Sequence, residues 1–125
     1  MRLPSTVFVA TEPVDMRLSF DRLAGMVRER FGQEPRSDAV FVFLNKRATH
    51  IKLLWHDGSG YRILFKRLDR GRGRFRAPQA MPGEMRHVLM SARELRILLE
   101  GIDMKLIRAA RQRAEAPDRG NIPRN

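Results

Sequence analysis

The chain has 125 residues, a formal net charge of +11 and no cysteine. This length suits one domain with a single modest core, the 42% apolar content is that of a folded chain, and no run of about twenty apolar residues occurs. Disulfides, thiolate chemistry and a transmembrane helix are thereby excluded, and the lack of a signal-peptide pattern makes the cytoplasm the expected location.

The positive charge favours polyanionic partners, because a positive field attracts them and binding releases their counterions. Nucleic acid is one such class of partner. Acidic membrane surfaces and acidic proteins are two others that charge alone leaves open.

The first part of the chain predicts a strand followed by a helix. The apolar run Val7–Ala10 predicts a first strand, which ends before Pro13. Asp15 is the predicted helix N-cap, and apolar residues then recur at helical spacing as far as Phe31, where Gly32 ends the helix. The simplest role of this amphipathic helix is to pack on a sheet, and binding a partner is the alternative.

Three apolar runs of strand length between Ala39 and Leu68 predict an antiparallel meander. The segment Asp57–Gly60 predicts a tight hairpin, and Asn45 suits the turn before it. Strand alternation then predicts a buried face made by Ile51, Leu53 and Trp55 opposite Tyr61, Ile63 and Phe65. The opposite face is predicted to be basic and to carry Lys52, Arg62 and Lys66.

Most of the positive charge lies in this meander and just after it. Between Lys46 and Arg76 there are ten Lys or Arg residues and two acids. The segment ends by alternating Arg with Gly around Phe75, a composition suited to following a phosphate backbone and stacking a ring on a base; a solvated turn is the alternative. The residues predicted to bind nucleic acid are Lys52, Arg62, Lys66, Arg67, Arg72, Arg74 and Arg76.

The last part of the chain predicts a second helix. Ser91 and Glu94 have the spacing of a capping box and precede a stripe of leucines, so a helix is expected from Ala92 to about Glu100. Gly101 should end or bend it. We expect a single domain over 1–103, followed by a basic helical extension and mobile tail over 104–125.

The sequence contains no P-loop, dinucleotide fingerprint, zinc-protease motif or nucleophile elbow. His50 and His56 lie roughly 20 Å apart along one predicted strand, too far to share a metal ion. Asp15, Asp57 and Asp69 have local explanations as a helix cap, a hairpin turn and a charge partner of arginines. The sequence therefore predicts a protein that is not an enzyme and has neither a metal site nor a cofactor.

Four segments, taken together and in order, resemble a known family: 14–24, 40–43, 51–60 and 65–71. They contain Asp-Met-Arg, Asp-Gly-Ser-Gly and Lys-Arg-Leu, and residues 98–103 resemble the family's C-terminal helix. The chain is similar to TnpB, the small accessory protein of the IS-sixty-six type of bacterial insertion sequences, which is distinct from the RNA-guided nucleases of that name. The positions that match its motifs are Asp15, Arg17, Lys52, Asp57, Gly58, Gly60, Lys66, Arg67 and Leu68.

The resemblance implies a non-catalytic role in DNA transposition beside a larger transposase, which holds the catalytic carboxylates. The implied partners are DNA, in particular the ends of the insertion sequence, and the transposase with other proteins encoded by the element. No membrane partner is expected. The chain departs from the family pattern in its second glycine, Gly73, and in having Ala77 rather than an aromatic residue before Pro78.

The predicted fold is α+β: an antiparallel β-meander of four to five strands, one packed amphipathic helix and a C-terminal helical segment. Two functions are consistent with it. The first is DNA binding, or binding of the DNA-transposase complex, through the basic hairpin face. The second is that of an adaptor that docks on the transposase without direct DNA contact.

Overall fold

Residues 2–77 and 87–101 are those that the computed structural model describes, and they form a five-stranded sheet with helices packed on it. The elements in chain order are β1 (Thr6–Ala10), α1 (Phe20–Met26) continued by a π-helical segment (Val27–Phe31), β2 (Ala39–Leu44), β3 (His50–His56), β4 (Tyr61–Arg67), β5 (His87–Ser91) and α2 (Ala92–Leu99). The strand order is β4-β3-β2-β1-β5. The predicted α+β class is confirmed.

The meander of β2, β3 and β4 is antiparallel, as predicted, and β5 pairs antiparallel with β1. The β1–β2 pair is parallel, so the sheet is mixed. The parallel pair follows from the helical segment between these two strands, since a parallel connection needs a crossover. The fifth strand lies at 87–91, and residues 74–77 form no strand.

The β3–β4 hairpin forms where it was predicted, but its predicted register is wrong by one residue. Lys52 lies opposite Phe65, and Trp55 lies opposite Arg62. The reason is the length of the turn: His56 pairs with Tyr61, so the turn contains four residues and not five. A one-residue shift moves every side chain of β4 to the other face.

The sheet is buried on both faces, which explains why β2 and β3 are almost continuously apolar. The core layer beneath α2 contains Val7, Val9, Val40, Val42, Ile51, Leu53, Trp55, Phe75, Met90, Leu95 and Leu98. The core layer beneath α1 contains Ala10, Val14, Leu23, Ala24, Val27, Phe31, Ala39, Phe41, Phe43 and Leu54. The amphipathic helix therefore packs on the sheet, as its apolar spacing predicted.

The first helix begins later than predicted. Asp15 is not its N-cap, because α1 starts at Phe20 and Asp15 instead accepts hydrogen bonds from Arg17. The backbone N–H of Arg17 donates to Asp15 Oδ1 at 2.9 Å, which closes a local turn in place of a helical one. Gly32 ends the helical segment in the left-handed conformation, with φ 63°, as expected.

The capping box of α2 is confirmed. Ser91 Oγ accepts from the backbone N–H of Glu94 at 3.0 Å, and Glu94 Oε1 accepts from that of Ser91 at 3.1 Å. Gly101 follows the helix with φ 83°. The predicted extension and tail over 104–125 lie outside the described residues. Within the described ranges, no helix is long and apolar enough to cross a membrane.

Candidate nucleic-acid interface

The turn between β2 and β3 is built around the side chain of Asn45. Its Oδ1 accepts from the backbone N–H groups of Thr49 and His50, both at 2.9 Å. Ala48 adopts a left-handed conformation with φ 55° and donates its N–H to the carbonyl of Asn45. These bonds fix a tight turn whose tip carries Lys46 and Arg47 in solvent.

The arginine-rich loop after β4 is anchored on the same turn. The N–H of Leu68 donates to Thr49 O at 3.0 Å, and the N–H of Phe75 donates to Ala48 O at 2.7 Å. The Phe75 side chain is only 2% exposed and belongs to the core layer beneath α2. Phe75 is therefore an anchor of the loop, and the predicted stacking of this ring on a base is wrong.

These two segments gather seven cations at one end of the sheet, which we call the basic end. Its members are Lys46, Arg47, Arg67, Arg70, Arg72, Arg74 and Arg76, all of them exposed. Asp69 is the one acid in the two segments that carry them. Among the residues that the structure describes, none of the seven forms an ion pair. Within the described ranges, the basic end is thus a surface of positive charge without acidic partners.

Four of the seven predicted DNA-binding residues lie at the basic end: Arg67, Arg72, Arg74 and Arg76. The other three have partners inside the protein. Lys52 is 8% exposed and donates from Nζ to Leu18 O at 2.7 Å. Lys66 donates from Nζ to Leu99 O at 2.6 Å, where it satisfies a terminal carbonyl of α2. The single basic face that was predicted is divided, because the register places Lys52 and Lys66 on opposite faces of the sheet.

The third of these residues, Arg62, lies at the far end of the β3–β4 hairpin. Its Nε donates to Asp57 Oδ2 at 2.6 Å, and Asp57 Oδ1 accepts from the backbone N–H groups of Ser59 and Gly60. The Arg62 guanidinium, with these amides, holds the pKa of Asp57 well below its usual range. Gly58 has φ 102° in the same turn, a conformation that requires glycine. Asp57 thus has the role in the hairpin turn that the sequence predicted.

An open depression at this far end contrasts with the basic end. It has a volume of about 830 Å³, and its charged lining residues are Arg2, Arg36, Asp38, Asp57 and Arg62. Three cations and two acids nearly balance. This depression offers a polyanion much less net charge than the basic end does.

The remaining motif positions have structural partners. The guanidinium of Arg17 donates to both carboxylate oxygens of Asp15, which lowers the pKa of Asp15 to about 2. Leu68 lies against the end of α2, since a Cβ on Gly101 would be 3.5 Å from Leu68 Cδ2. No group of three or more His, Asp or Glu residues able to hold a metal ion is found in the described part of the chain.

Sequence reasoning missed three members of the basic end as binding residues: Lys46, Arg47 and Arg70. A signal was present, because the turn of Lys46 and the loop of Arg70 flank an antiparallel pair and must meet at the same end of it. Charges along a strand are a poor guide to which face of the sheet is charged, because that depends on the register. Charges in turns are a better guide to which end of the sheet is charged, because turns are solvated in any register.

Residues 5–109 match the family described as IS66 Orf2 like protein. The uncharacterized protein y4hO of Sinorhizobium fredii is 38% identical over 79% of this chain and 82% of its own length. The uncharacterized protein y4jC of the same organism is 32% identical over 78% and 79%, respectively.

No solved structure matches the chain. The family match extends from the start of β1 to beyond α2 and includes every segment of the basic end. It supports an accessory role associated with transposition. The chain belongs to the IS66 Orf2-like family of insertion-sequence proteins.

Proposed function

We propose that this protein is a non-catalytic accessory protein of transposition that binds DNA through the basic end. The observation that carries the proposal is the gathering of seven exposed cations, with one acid, on a turn and a loop that are hydrogen-bonded to each other. The family supplies the context of an insertion sequence. Catalysis belongs, on this proposal, to the separate transposase.

The chemistry of the basic end suits the phosphate backbone. Six of its residues are arginines, whose planar guanidinium groups donate to phosphate oxygens in pairs. Such contacts fix the orientation of the protein on DNA but do not read the sequence of bases. Each phosphate contact releases counterions, so the logarithm of affinity should fall with the logarithm of salt concentration, with a slope of about −0.9 per contact.

Two triple variants with the same loss of charge test this proposal. The loop variant is Arg72→Gln, Arg74→Gln, Arg76→Gln. The control removes three exposed arginines away from the basic end: Arg22→Gln, Arg28→Gln, Arg36→Gln. Fluorescence anisotropy would measure the binding of each to a labelled duplex carrying the insertion-sequence end, and to a scrambled duplex, across a salt series.

The loop variant should bind both duplexes more weakly, and its salt slope should be shallower by about 2.7, whereas the control should keep the slope of the parent protein. Equal effects of the two variants would show that only net charge matters and would contradict the proposal. The adaptor is the alternative function: a protein that fails to bind DNA at low salt, yet is retained on purified transposase after nuclease treatment, would support it.

A further inference from the structure

One aromatic side chain of the sheet, next to the basic end, is exposed to solvent. Phe65 lies on β4, an edge strand of the sheet, and is 53% exposed. Other aromatic residues of the sheet, such as Phe41, Phe43 and Trp55, are buried. The apolar spacing predicted a buried Phe65, and the register places it instead on the same face as Lys52.

Phe65 is exposed because the helix on its face covers only the other end of β4. Tyr61 and Ile63, on the same face of β4, pack against the core layer beneath α1. Phe65 is not part of that layer. An aromatic ring that the folded chain leaves half in solvent makes little contribution to the core.

The ring is nevertheless held in place from the side of β3. Lys52 Nζ lies over the ring, 4.9 Å from its centroid, and the His50 ring centroid is 5.8 Å away with a tilt of 31°. Both neighbours are fixed in turn. Lys52 donates to Leu18 O, and His50 Nδ1 lies 2.8 Å from Thr49 Oγ1. A ring held in this way loses little side-chain entropy when a ligand covers it.

Phe65 is continuous with the basic end. Arg67 follows it on the same face of β4 and lies opposite His50, which ends the turn that carries Lys46 and Arg47. The exposed ring therefore has two cations beside it, Lys52 and Arg67. This surrounding charge favours a polyanion with flat apolar groups over an apolar protein surface.

We propose that Phe65 stacks on an unpaired nucleobase of single-stranded DNA while the basic end holds the neighbouring phosphates. The proposal rests on the proposed function and adds to it a preference for single-stranded DNA. In a duplex the faces of the bases are already stacked on one another, so a ring on a sheet surface has access only to bases that have left the helix. Phe65 would thus favour the single-stranded or distorted DNA that arises at the ends of a mobile element.

The test compares two single-stranded probes that carry the same phosphates. One is a labelled oligothymidylate, and the other is an abasic oligodeoxyribonucleotide of equal length. The protein variants are Phe65→Ala, Phe65→Tyr, which keeps the ring, and Leu89→Ala as a control. Leu89 is a matched choice because it is an apolar side chain, 62% exposed, on the opposite edge strand.

The parent protein should bind the oligothymidylate more tightly than the abasic probe. Phe65→Ala should weaken binding of the oligothymidylate by roughly 5- to 140-fold, the effect of one lost base stack, and leave binding of the abasic probe unchanged. Phe65→Tyr and Leu89→Ala should behave as the parent does. Thermal denaturation would show that each variant is folded.

Three results would overturn the proposal. The first is equal binding of the two probes by the parent protein, which would leave phosphate binding by the basic end intact. The second is that Phe65→Ala weakens the binding of both probes equally. The ring would then position the phosphate-binding residues and would not contact a base. The third is failure of the parent protein to bind either probe or a duplex at low salt, which would overturn the proposed function as well.

Discussion

Replacing Lys52 by methionine tests whether this lysine supports the fold or binds DNA. Lys52 was predicted to bind nucleic acid, yet its Nζ is bonded to Leu18 O and lies over the Phe65 ring. Methionine keeps the apolar volume of the side chain but removes the donor. The carbonyl of Leu18 then loses its partner, and the expected destabilisation is about 1–3 kcal/mol.

The assay has two readouts, thermal denaturation and duplex binding across a salt series. For Lys52→Met we expect the Tm to fall by at least about 4 °C, because about 1 kcal/mol corresponds to about 4–8 °C in a domain of this size. The duplex salt slope should not change. Arg67→Met is the matched comparison, because Arg67 lies on the same face of the sheet as Lys52 but is exposed. It should reduce the slope by about 0.9 and change stability by less than about 0.5 kcal/mol.

The opposite assignment of Lys52 and Arg67 would give the converse results. If Lys52→Met kept the parent Tm and reduced the salt slope by about one contact, Lys52 would be a phosphate ligand and its bond to Leu18 would be dispensable. If Arg67→Met lowered the Tm and left the slope unchanged, the basic end would be structural at that position. Either result would show that solvent exposure does not distinguish cations that support the fold from cations that bind DNA.

Two further predictions concern the parts that support the basic end, and a third concerns two carboxylates elsewhere in the fold. Ala48→Gly should raise the Tm, since relief of a left-handed alanine, about 1–2 kcal/mol, exceeds the added unfolded-state entropy of glycine, about 0.4–1 kcal/mol; a lower Tm would contradict this. Phe75→Ala should cost about 3–5 kcal/mol in urea unfolding and loosen the arginine loop, and a loss below about 1 kcal/mol would show that the ring does not anchor it. The pKa values of Asp15 and Asp57 are lowered by folding, so the stability they contribute is present above their unfolded pKa, near pH 4, and is lost as the pH falls towards 2. Asp57→Asn should therefore make the acid side of the stability profile flatter, and an unchanged profile would refute a role for this carboxylate.

The elements that depend on local signals were predicted well. The capping box at Ser91, the glycine stop at Gly32 and the hairpin at Asp57 each use bonds between residues close in sequence, and each is present. The strands of the meander were equally clear, because their runs of β-branched and aromatic residues match a sheet that is buried on both faces.

The features that depend on register and tertiary packing were not predictable in the same way. One residue in the length of a turn decided whether Phe65 is core or surface, and both registers bury apolar side chains. Asp15 has the chemistry of an N-cap, but Arg17, two residues on, competes for the same oxygens. The Arg-Gly loop gave no local sign that Phe75 would enter the core, where its ring is buried and its N–H donates to Ala48 O.

The same division explains why charge counted along the sequence overstates the charge available to DNA. Of the ten cations between Lys46 and Arg76, three are held by groups of the protein and seven remain exposed and unpaired among the described residues. On opposite faces of the sheet, Lys52 donates to the carbonyl of Leu18, just before α1, and Lys66 donates to that of Leu99, the last residue of α2. The limiting salt slope of this surface is therefore about −6, and a measured slope near −9 would mean that cations outside the basic end also contact phosphates.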